Sequence, residues 1–522
     1  MINSPSIIEI HYSLPVVPVN RNPRWLRLIR NYLPDQKKIR VGLLNIAENE
    51  RESYEATGTS ILENVHVLLD PLPKNLTWES LFPAGIDEDH TPICPKVPLP
   101  QVEGTAADVD VVVVKMPCDG FSESIGLRDV FRLQVNLAAA KLAVESGRRN
   151  VERTVYVVFI GACEPMHEIF RCDERMRRVG EYWVYRPNLT KLKQKLLMPV
   201  GSCQIAPLDN AGLDQEAWRQ QKNKSLSSTT TLATQRVAYV TLLHSSEDYV
   251  CGAIALGQSI RQSGSRHDMI LLHDDSITNR SRIGLSLAGW KLRLVERICG
   301  PFSEKGSYNE WNYSKLRVWQ VTDYDKLVFI DADFIIAKNV DYLFSYPQLS
   351  AAGNSKVLFN SGVMVLEPSA CLFEELMQQS FKIKSYNGGD QGFLNEYFVW
   401  WHRLPKRVNT MKYFGEETPP KRNLPDHFEG IHYFGIKPWM CYRDYDCNWD
   451  LKTRRVYASE SVNEKWWRVY DEMPEKLQRY CGLTRKMDKN IENWRQTAKR
   501  EGFPEQHWRI EVRDPRKKNL VD

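Results

Sequence analysis

The chain has 522 residues, which is more than one ordinary hydrophobic core holds, so we expect two or three domains. Apolar residues make up 42% and charged residues 26%, as in an ordinary soluble globular protein. The 70 basic and 65 acidic residues leave a net charge of only +5, and this balance does not indicate a nucleic-acid partner. No uninterrupted apolar stretch is long enough to cross a bilayer, and Pro5, Pro15 and Pro18 interrupt an N-terminus without a clear signal-peptide pattern.

The 11 cysteines include no C-x-x-C pair, which excludes a zinc ribbon and a thioredoxin motif. An odd number leaves at least one cysteine unpaired within a monomer. Cys441 and Cys447 are candidates for a small loop bridge, and Cys163 and Cys172 are candidates for another. Spacing alone does not decide the pairing.

Two apolar runs predict strands in the first 230 residues, Val109–Val114 and Val155–Ile160. The Ala- and Leu-rich segment Leu133–Glu145 between them predicts a helix that ends at Gly147. Strand, helix and strand in this order predict a small parallel unit. A Pro-rich segment and a Ser/Thr-rich segment predict a loop and a linker, over 71–108 and 222–235 respectively.

From Arg236 onward, strand and helix patterns alternate. Strands are predicted over 237–243, 268–275, 291–298 and 327–330, and helices over 253–263 and 313–321. This alternation predicts an α/β fold with a doubly wound, mostly parallel nucleotide-binding sheet. Beyond residue 450 the pattern is helical and charged, and we expect an extension that packs its tryptophans on the main domain: Trp466, Trp467, Trp494 and Trp508.

A pair of aspartates follows the apolar run Leu327–Ile330, which has the composition of a buried parallel strand. Asp331 and Asp333, separated by Ala332, can turn toward one cation where the chain leaves the strand. Oxygen ligands of this kind suit Mg²⁺ or Mn²⁺, and open α/β sheets bind ligands at the carboxyl ends of their strands. The alternative is a turn with two solvated aspartates.

Two small polar segments follow within about a hundred residues. Asn360, Ser361 and Gly362 form a polar turn between apolar runs, where an amide, a hydroxyl and a permissive backbone suit a sugar or ribose. An ordinary hairpin turn is the alternative. The segment 387–391 offers glycines for close approach and polar groups for direction, with a Gly-rich turn that starts a helix as the alternative. Its members are Asn387, Gly388, Gly389, Asp390 and Gln391.

Two further pieces supply an imidazole and two cations. His432 can ligate a metal, and Lys437 can place a point charge on a phosphate, although a lone His is usually structural and a lone Lys solvated. Lys315, on the helix before the Asp331 strand, can neutralise leaving-group charge, and an exposed helix cation is the alternative.

In order, these pieces resemble the motifs of glycosyltransferase family eight, which includes glycogenin, over roughly 236–450. The segments NEWNYSKLRVWQVTDYDKLVFIDADF, SYNGGDQGFLNE, KPWMCYRDYDCNWD and WRIEVRDPRKKNL resemble more closely the plant glucuronosyltransferases that decorate xylan. Glycogenin-type members carry one more residue between Gly435 and Lys437, and many family-eight enzymes have Asp where this chain has Asn387. The missing carboxylate would ease the approach of an anionic sugar.

The resemblance implies a glycosyltransferase A type fold and transfer of glucuronate from UDP-glucuronate to xylan or xylo-oligosaccharide with retained configuration. It implies Mn²⁺ bound by Asp331, Asp333 and His432, and a Golgi location beside other polysaccharide-synthesis enzymes. Relatives there carry one N-terminal membrane span, and no such span is found in this chain. The predicted domains are an accessory or stem region at 1–230, a transferase domain at 231–450 and a helical extension at 451–522.

Lys315 and Asp390 are the predicted catalytic residues. The predicted donor-binding set comprises His244, Tyr249, Asp331, Ala332, Asp333, Asn360, Ser361, Gly362, Asn387, Gly388, Gly389, Asp390, Gln391, His432, Tyr433, Phe434, Gly435, Ile436 and Lys437. Three alternatives stay open at this point: a glycogenin-like self-glucosylating enzyme, a transferase with a lipid or inositol acceptor, and a non-catalytic partner in a polysaccharide-synthesising complex.

Overall fold

A computed structural model describes residues 23–33, 38–55, 62–82, 95–100, 108–118, 128–147, 153–197, 235–415, 417 and 421–521. The predicted linker at 222–235 lies almost entirely outside these residues. No helix in the described ranges combines the length and the apolar character that crossing a membrane requires.

The first sheet is six-stranded, with the order β2-β1-β3-β4-β6-β5. Its strands are β1 (Ile39–Leu44), β2 (Leu62–Val67), β3 (Val111–Lys115), β4 (Tyr156–Ile160), β5 (Arg175–Val179) and β6 (Tyr182–Tyr185). The first four strands in this order are parallel, and β6 pairs antiparallel with β4 and β5. Its helices are α1 (Arg24–Ile29), α2 (Arg51–Tyr54), α3 (Val130–Ser146) and α4 (Leu189–Leu197). The predicted parallel unit is confirmed, with α3 between β3 and β4.

The second sheet is seven-stranded, with the order β14-β12-β13-β10-β7-β8-β9. Its strands are β7 (Val237–Leu243), β8 (Asp268–His273), β9 (Lys291–Leu294), β10 (Lys326–Ile330), β12 (Ser350–Gly353), β13 (Phe359–Leu366) and β14 (His402–Leu404). The strands β10, β7, β8 and β9 are parallel, while β13 runs antiparallel to β10 and β12. The fold prediction of a mostly parallel α/β sheet is confirmed.

Helices cover both faces of this sheet. α5 (Val250–Gln262) and α6 (Asn279–Leu287) pack on one face, and α7 (Ala370–Ser380) and α8 (Asp390–Tyr397) pack on the other. α9 (Glu460–Glu472) and α10 (Glu475–Gln478) extend the core that contains α5, whereas α11 (Arg485–Glu501) packs in a separate cluster with Cys441 and Tyr442. Along β10, Leu327 and Phe329 join the core that contains Trp319, whereas Val328 and Ile330 join the core beneath α5. Both faces of β10 are therefore buried, which explains its unbroken apolar run.

Two details of the sequence prediction were wrong. Residues 360–362 do not form a turn, because they continue β13 without interruption through Phe359–Leu366. The helix predicted at 313–321 is present as a 3₁₀ helix, Asn312–Gln320. Cys163 and Cys172 do not pair with each other, because Cys163 bonds Cys118 and Cys172 bonds Cys371.

The predicted Cys441–Cys447 bridge is confirmed, and a further disulfide, Cys251–Cys481, joins α5 to the C-terminal helices. Trp466 on α9 lies 5.5 Å from Trp439, centroid to centroid, and is fully buried, as expected for a packed C-terminal extension. Cys299 is the free cysteine among the described residues, and it is exposed.

The first sheet's unit is bound directly to helices of the second. Besides the Cys172–Cys371 disulfide, Glu168 accepts hydrogen bonds from the backbone N–H groups of Val399 (3.1 Å) and Trp400 (3.3 Å), just past the end of α8. Glu168 is buried, so these bonds satisfy a carboxylate that has left water. The N-terminal unit thus holds the end of the helix whose first residue is Asp390.

Glu375, at this junction, is expected to lower stability above neutral pH. Burial and the nearby Glu164 charge outweigh Arg175 and raise the pKa of Glu375 to about 7. An acid whose pKa rises on folding is destabilising once it ionises in the folded state, so stability falls as pH rises from about 4.5 to 7. Glu375→Gln should therefore raise the free energy of unfolding at pH 8, on the order of 2 kcal/mol, and change it little at pH 5. Thermal unfolding at both pH values tests this, with the exposed neighbour Glu374→Gln as the control; equal shifts at both pH values would contradict it.

Candidate metal and donor site

The two aspartates lie where the chain passes from the seven-stranded sheet to a small third sheet. Asp331 follows β10, and Asp333 precedes β11 (Phe334–Ile336). The backbone N–H of Asp331 donates to the carbonyl of Gly362 on β13 at 2.9 Å, which fixes the loop to the neighbouring strand. The loop is thus at the carboxyl end of β10, as predicted.

The small sheet brings His432 to the aspartates. It has the order β11-β16-β15, where β15 is Thr410–Met411 and β16 is Gly430–His432. The antiparallel register places His432 opposite Phe334, and the ring Nε2 of His432 lies 3.3 Å from Oδ1 of Asp333. One ligand atom from each of Asp331, Asp333 and His432 lies within 4.8 Å of the other two. Two carboxylates and one imidazole in this arrangement form a candidate divalent-cation site.

The imidazole of His432 is held by polar and steric contacts. Its Nδ1 lies 3.3 Å from Oδ1 of Asn409, whose amide nitrogen donates to Oδ1 of Asn360 at 2.9 Å. A Cβ on Gly362 would lie 2.4 Å from the ring's Cε1, so a glycine is required beside the histidine. Because Nδ1 contacts an amide oxygen, Nε2 is left to face the aspartates, which is the usual support of a metal-ligating histidine.

Two buried lysines bind the two aspartates separately. Lys437 Nζ lies 2.6 Å from Oδ2 of Asp333, and Lys315 Nζ lies 3.2 Å from Oδ1 of Asp331. Lys315 also lies 2.8 Å from Oδ2 of Asp390 and is only 8% exposed, so it is not a solvated helix cation. The cations and carboxylates therefore form one connected cluster.

The charges of this cluster shift its titration. Burial alone would raise the pKa of Asp333, but Lys437 and His432 outweigh burial and hold that pKa well below its usual range. Burial alone would lower the pKa of Lys315, but Asp331 and Asp390 outweigh it and raise that pKa. Both groups are charged at neutral pH.

The polar segments 360–362 and 387–391 join this cluster through Ser361. Its hydroxyl donates to Oδ2 of Asp390 at 3.0 Å, and its backbone N–H donates to Oε1 of Gln391 at 3.2 Å. Asp390 is the first residue of α8, as the alternative for this motif predicted. The side-chain oxygen of Asn387 accepts from the backbone N–H groups of Gly389 (3.0 Å) and Gly392 (3.1 Å), so it shapes the turn before α8.

His244 and Tyr249 lie at the edge of this cluster. Burial lowers the pKa of His244 and outweighs the charges of Asp274 and Asp390, which raise it. Tyr249 is half-buried, its ring lies 5.7 Å from Lys437 Nζ and 5.9 Å from the Trp439 ring, and it neighbours Asp333. Both residues stay predictions as donor contacts.

The remaining predicted residues lie on the loops around the lysines. The side chain of Tyr433 is fully buried and its hydroxyl donates to the carbonyl of Val462 at 3.0 Å, so Tyr433 faces Lys437 only through its backbone and stays a prediction as a donor contact. Gly388 and Gly435 have φ of +72° and +74°, a conformation that favours glycine. Ala332 links the two aspartates, the ring of Phe434 lies 4.6 Å from the ring of His432, and the backbone N–H of Ile436 donates to Oδ1 of Asn448 at 2.8 Å.

Comparison with known proteins places the chain in a family. A family model described as the GUX1-5 N-terminal domain matches residues 17–203. The Arabidopsis thaliana protein named "Putative UDP-glucuronate:xylan alpha-glucuronosyltransferase 5" is 79% identical over all of this chain and 93% of its own length. The chain belongs to the UDP-glucuronate:xylan alpha-glucuronosyltransferase family.

A second Arabidopsis thaliana member of this family, named UDP-glucuronate:xylan alpha-glucuronosyltransferase 2, is 46% identical over 92% of this chain and 81% of its own length. A solved structure of the galactosyltransferase LgtC with donor and acceptor sugar analogs is 15% identical, with a TM-score of 0.34, over 46% of this chain and 99% of that one. Membership confirms the predicted resemblance and makes the chain a UDP-sugar glycosyltransferase.

Three supporting residues of this family member were missed by the sequence prediction. Asn409 contacts His432, and Asn395 on α8 bonds the backbone of Phe359 on β13 in both directions, at 2.8 and 2.9 Å. Gly252 lies under the aspartate loop, where a Cβ would be 2.5 Å from the carbonyl of Ala332. A buried asparagine within a helix was the available signal for Asn395; the others depend on the tertiary fold.

Proposed function

We propose that this protein transfers glucuronate from UDP-glucuronate to xylan, in an Mn²⁺-dependent reaction that retains the anomeric configuration. The supporting observation is the single cluster that contains Asp331, Asp333, His432, Lys315 and Asp390, in a member of a family named for this reaction. The presence of Asp331, Asp333, His432 and Lys437 in one cluster argues against a non-catalytic partner.

The ligand triad suits manganese. Two carboxylate oxygens and one imidazole nitrogen form a mixed set that fits Mn²⁺, with remaining positions left for diphosphate oxygens. When bound, the ion offsets the negative charge that grows on UDP as the sugar bond breaks. Asp331, Asp333 and His432 would hold it.

The protein's own cations and amides perform the other tasks. Lys437 and Lys315, each buried beside a carboxylate, supply positive charge to the diphosphate. Asp390, fixed by Lys315 and Ser361, orients the donor sugar at the reacting carbon, and Gln391 holds it from the same helical turn. Transfer on one face of the sugar needs no covalent intermediate with Asp390.

The donor's uracil is assigned to the edge of the cluster, and its sugar to the polar segments beside Asp390. His244 and Tyr249 flank the base, and the predicted donor residues of β13, from Asn360, and of the turn before α8, from Asn387, line the sugar. Four disulfides join described residues, and disulfides persist in oxidising compartments, which supports the Golgi lumen, beside other polysaccharide-synthesis enzymes. The same proposal includes the predicted division into an accessory or stem region at 1–230, a transferase domain at 231–450 and a helical extension at 451–522.

Product analysis with UDP-glucuronate and xylo-oligosaccharides tests the proposed reaction. We expect glucuronate on the oligosaccharide with the α configuration by NMR, and no comparable product from UDP-glucose. Transfer of glucose instead of glucuronate would favour the glycogenin-like alternative, and the absence of either product would contradict the proposal.

Binding of UDP is expected to require the divalent ion. Calorimetric titration should give saturable UDP binding with Mn²⁺ present and loss of binding, at least about tenfold, after chelation, because the two carboxylates otherwise repel the diphosphate. Restoring Mn²⁺ should restore binding. Equal affinity with and without the ion would contradict the cofactor assignment.

A further inference from the structure

A row of aromatic rings leads from the ligand triad to the protein surface. The ring of His432 lies 4.6 Å from Phe434, Phe434 lies 6.0 Å from Tyr457 with the two ring planes 23° apart, and Tyr457 lies 5.9 Å from Tyr413, all measured between ring centroids. His432 is buried, Phe434 and Tyr457 are half-buried, and Tyr413 is 58% exposed. The row thus passes from a buried histidine through two half-buried rings to an exposed tyrosine.

The backbone holds these rings in place. The N–H of Lys412 donates to the carbonyl of His432 at 2.9 Å, and the N–H of Phe414 donates to the carbonyl of Val456 at 2.8 Å. These bonds fix Tyr413 between the small sheet and the segment that carries Tyr457. A Cβ on Gly435 would lie 2.9 Å from Cδ2 of Tyr457, so the turn after Phe434 is packed against the row. The row is therefore built into the fold and is not a loose loop.

Exposed tyrosines concentrate around the site. Among the described residues, four tyrosines are at least 45% exposed. Tyr308 interacts with Tyr249, and the hydroxyl of Tyr386 accepts from Nε2 of Gln391 at 3.3 Å, so both border residues proposed for the donor. Tyr413 alone of these three belongs to the aromatic row, and the fourth, Tyr32, lies in the N-terminal unit.

We propose that Phe434, Tyr457 and Tyr413, here called the aromatic row, bind the acceptor as a chain of neutral pyranose rings; this inference rests on the proposed function. None of the three side chains carries a charge, so the row is poorly suited to an anionic ligand such as the donor's diphosphate. Aromatic faces are electron-rich and attract the C–H-bearing face of a sugar ring. Xylose lacks an exocyclic hydroxymethyl group, so unsubstituted xylose units can lie flat on successive rings.

The position of the row matches what transfer requires. An acceptor must reach the reacting carbon, which the donor residues hold beside the triad, while most of its chain remains outside. A platform that starts at His432 and ends at an exposed tyrosine provides this path. It predicts that the affinity for long acceptors depends on Tyr413, whereas the affinity for the donor does not.

Three variants test the aromatic row: Tyr413→Ala, Tyr413→Phe and, as the matched exposed-tyrosine control, Tyr32→Ala. Tyr413→Ala should raise the KM for long xylo-oligosaccharides about three- to tenfold, the loss expected for one aromatic stacking contact, with no change in the KM for UDP-glucuronate. Tyr413→Phe keeps the ring and should restore the wild-type KM, and Tyr32→Ala should behave as wild type.

Direct binding separates this inference from the proposed reaction. Saturation-transfer NMR with xylohexaose and Mn²⁺–UDP should show binding to the wild type, weakened in Tyr413→Ala, whether or not glucuronate is transferred. Failure of transfer with this binding pattern retained would overturn the proposed reaction and support the row. The assignment of the aromatic row to the acceptor would be contradicted by unchanged oligosaccharide binding in Tyr413→Ala or by no oligosaccharide binding to the wild type. An equal rise in the KM for UDP-glucuronate in Tyr413→Ala would contradict it as well.

Discussion

Asp331→Asn is expected to reduce glucuronate transfer roughly a thousandfold, because several kcal/mol of charge stabilisation correspond to about three factors of ten in rate. Asp331 is a member of the ligand triad and pairs with Lys315. Its side chain is 28% exposed, so the amide can be accommodated without burying a new unpaired group. Initial rates of transfer and Mn²⁺-dependent UDP binding should both fall, while thermal unfolding should change little.

The clean control for this variant lies at the other end of the same strand. Asp325, just before β10, has a side chain that is 42% exposed, and it accepts from the backbone N–H of Arg236 at 2.8 Å, far along the strand from the triad. Asp325→Asn should keep the wild-type rate. Asp333→Ala is less informative, because it leaves Lys437 buried without its carboxylate and is expected to destabilise the fold. Near-wild-type transfer by Asp331→Asn would contradict the ligand assignment.

Lys315→Met is expected to cost both activity and stability. Lys315 lies between Asp331 and Asp390, and without it the two carboxylates face each other in a buried site. Breaking a buried ion pair from one side typically costs about 3–5 kcal/mol, and the loss of one preorganised charge should lower kcat about a hundredfold. Circular dichroism during heating and steady-state kinetics measure the two effects.

A second buried lysine distinguishes a local role from general damage. Lys326 is at the start of β10, is fully buried by its neighbours, and donates to the carbonyl of Tyr346 at 2.6 Å. Lys326→Met should lose stability but keep the kcat of the folded fraction. If both variants lowered kcat equally per folded molecule, Lys315 would have no specific part in the reaction.

The strands were predictable because buried strands have a recognisable local composition. The apolar runs before Asp331 and at Val155–Ile160 match β10 and β4 closely, since strands covered on both faces carry continuous apolar residues. The prediction of a turn at 360–362 was wrong because these residues are polar although they belong to a buried strand. Polar residues in an apolar run usually mark a turn, but here they occupy β13 next to the site, where Lys315, Asp390 and Asn409 supply their hydrogen bonds.

The pairing of the site residues could not be read from the chain. The motif order indicated that Asp331, Asp333 and His432 share a site, but Lys437 beside Asp333 depends on the register of β11 with β16. Likewise, the Cys172–Cys371 bond spans 199 positions and joins two units, whereas Cys441–Cys447 spans 6 and was predictable. Contacts set by long-range topology leave no local signal.

Anomalous diffraction at the manganese edge, from crystals grown with UDP and MnCl₂, tests the central claim most directly. The account predicts one strong anomalous peak within bonding distance of carboxylate oxygens from Asp331 and Asp333 and of the His432 imidazole nitrogen. A peak that leaves the imidazole outside its coordination shell, or no peak between these side chains, would contradict it.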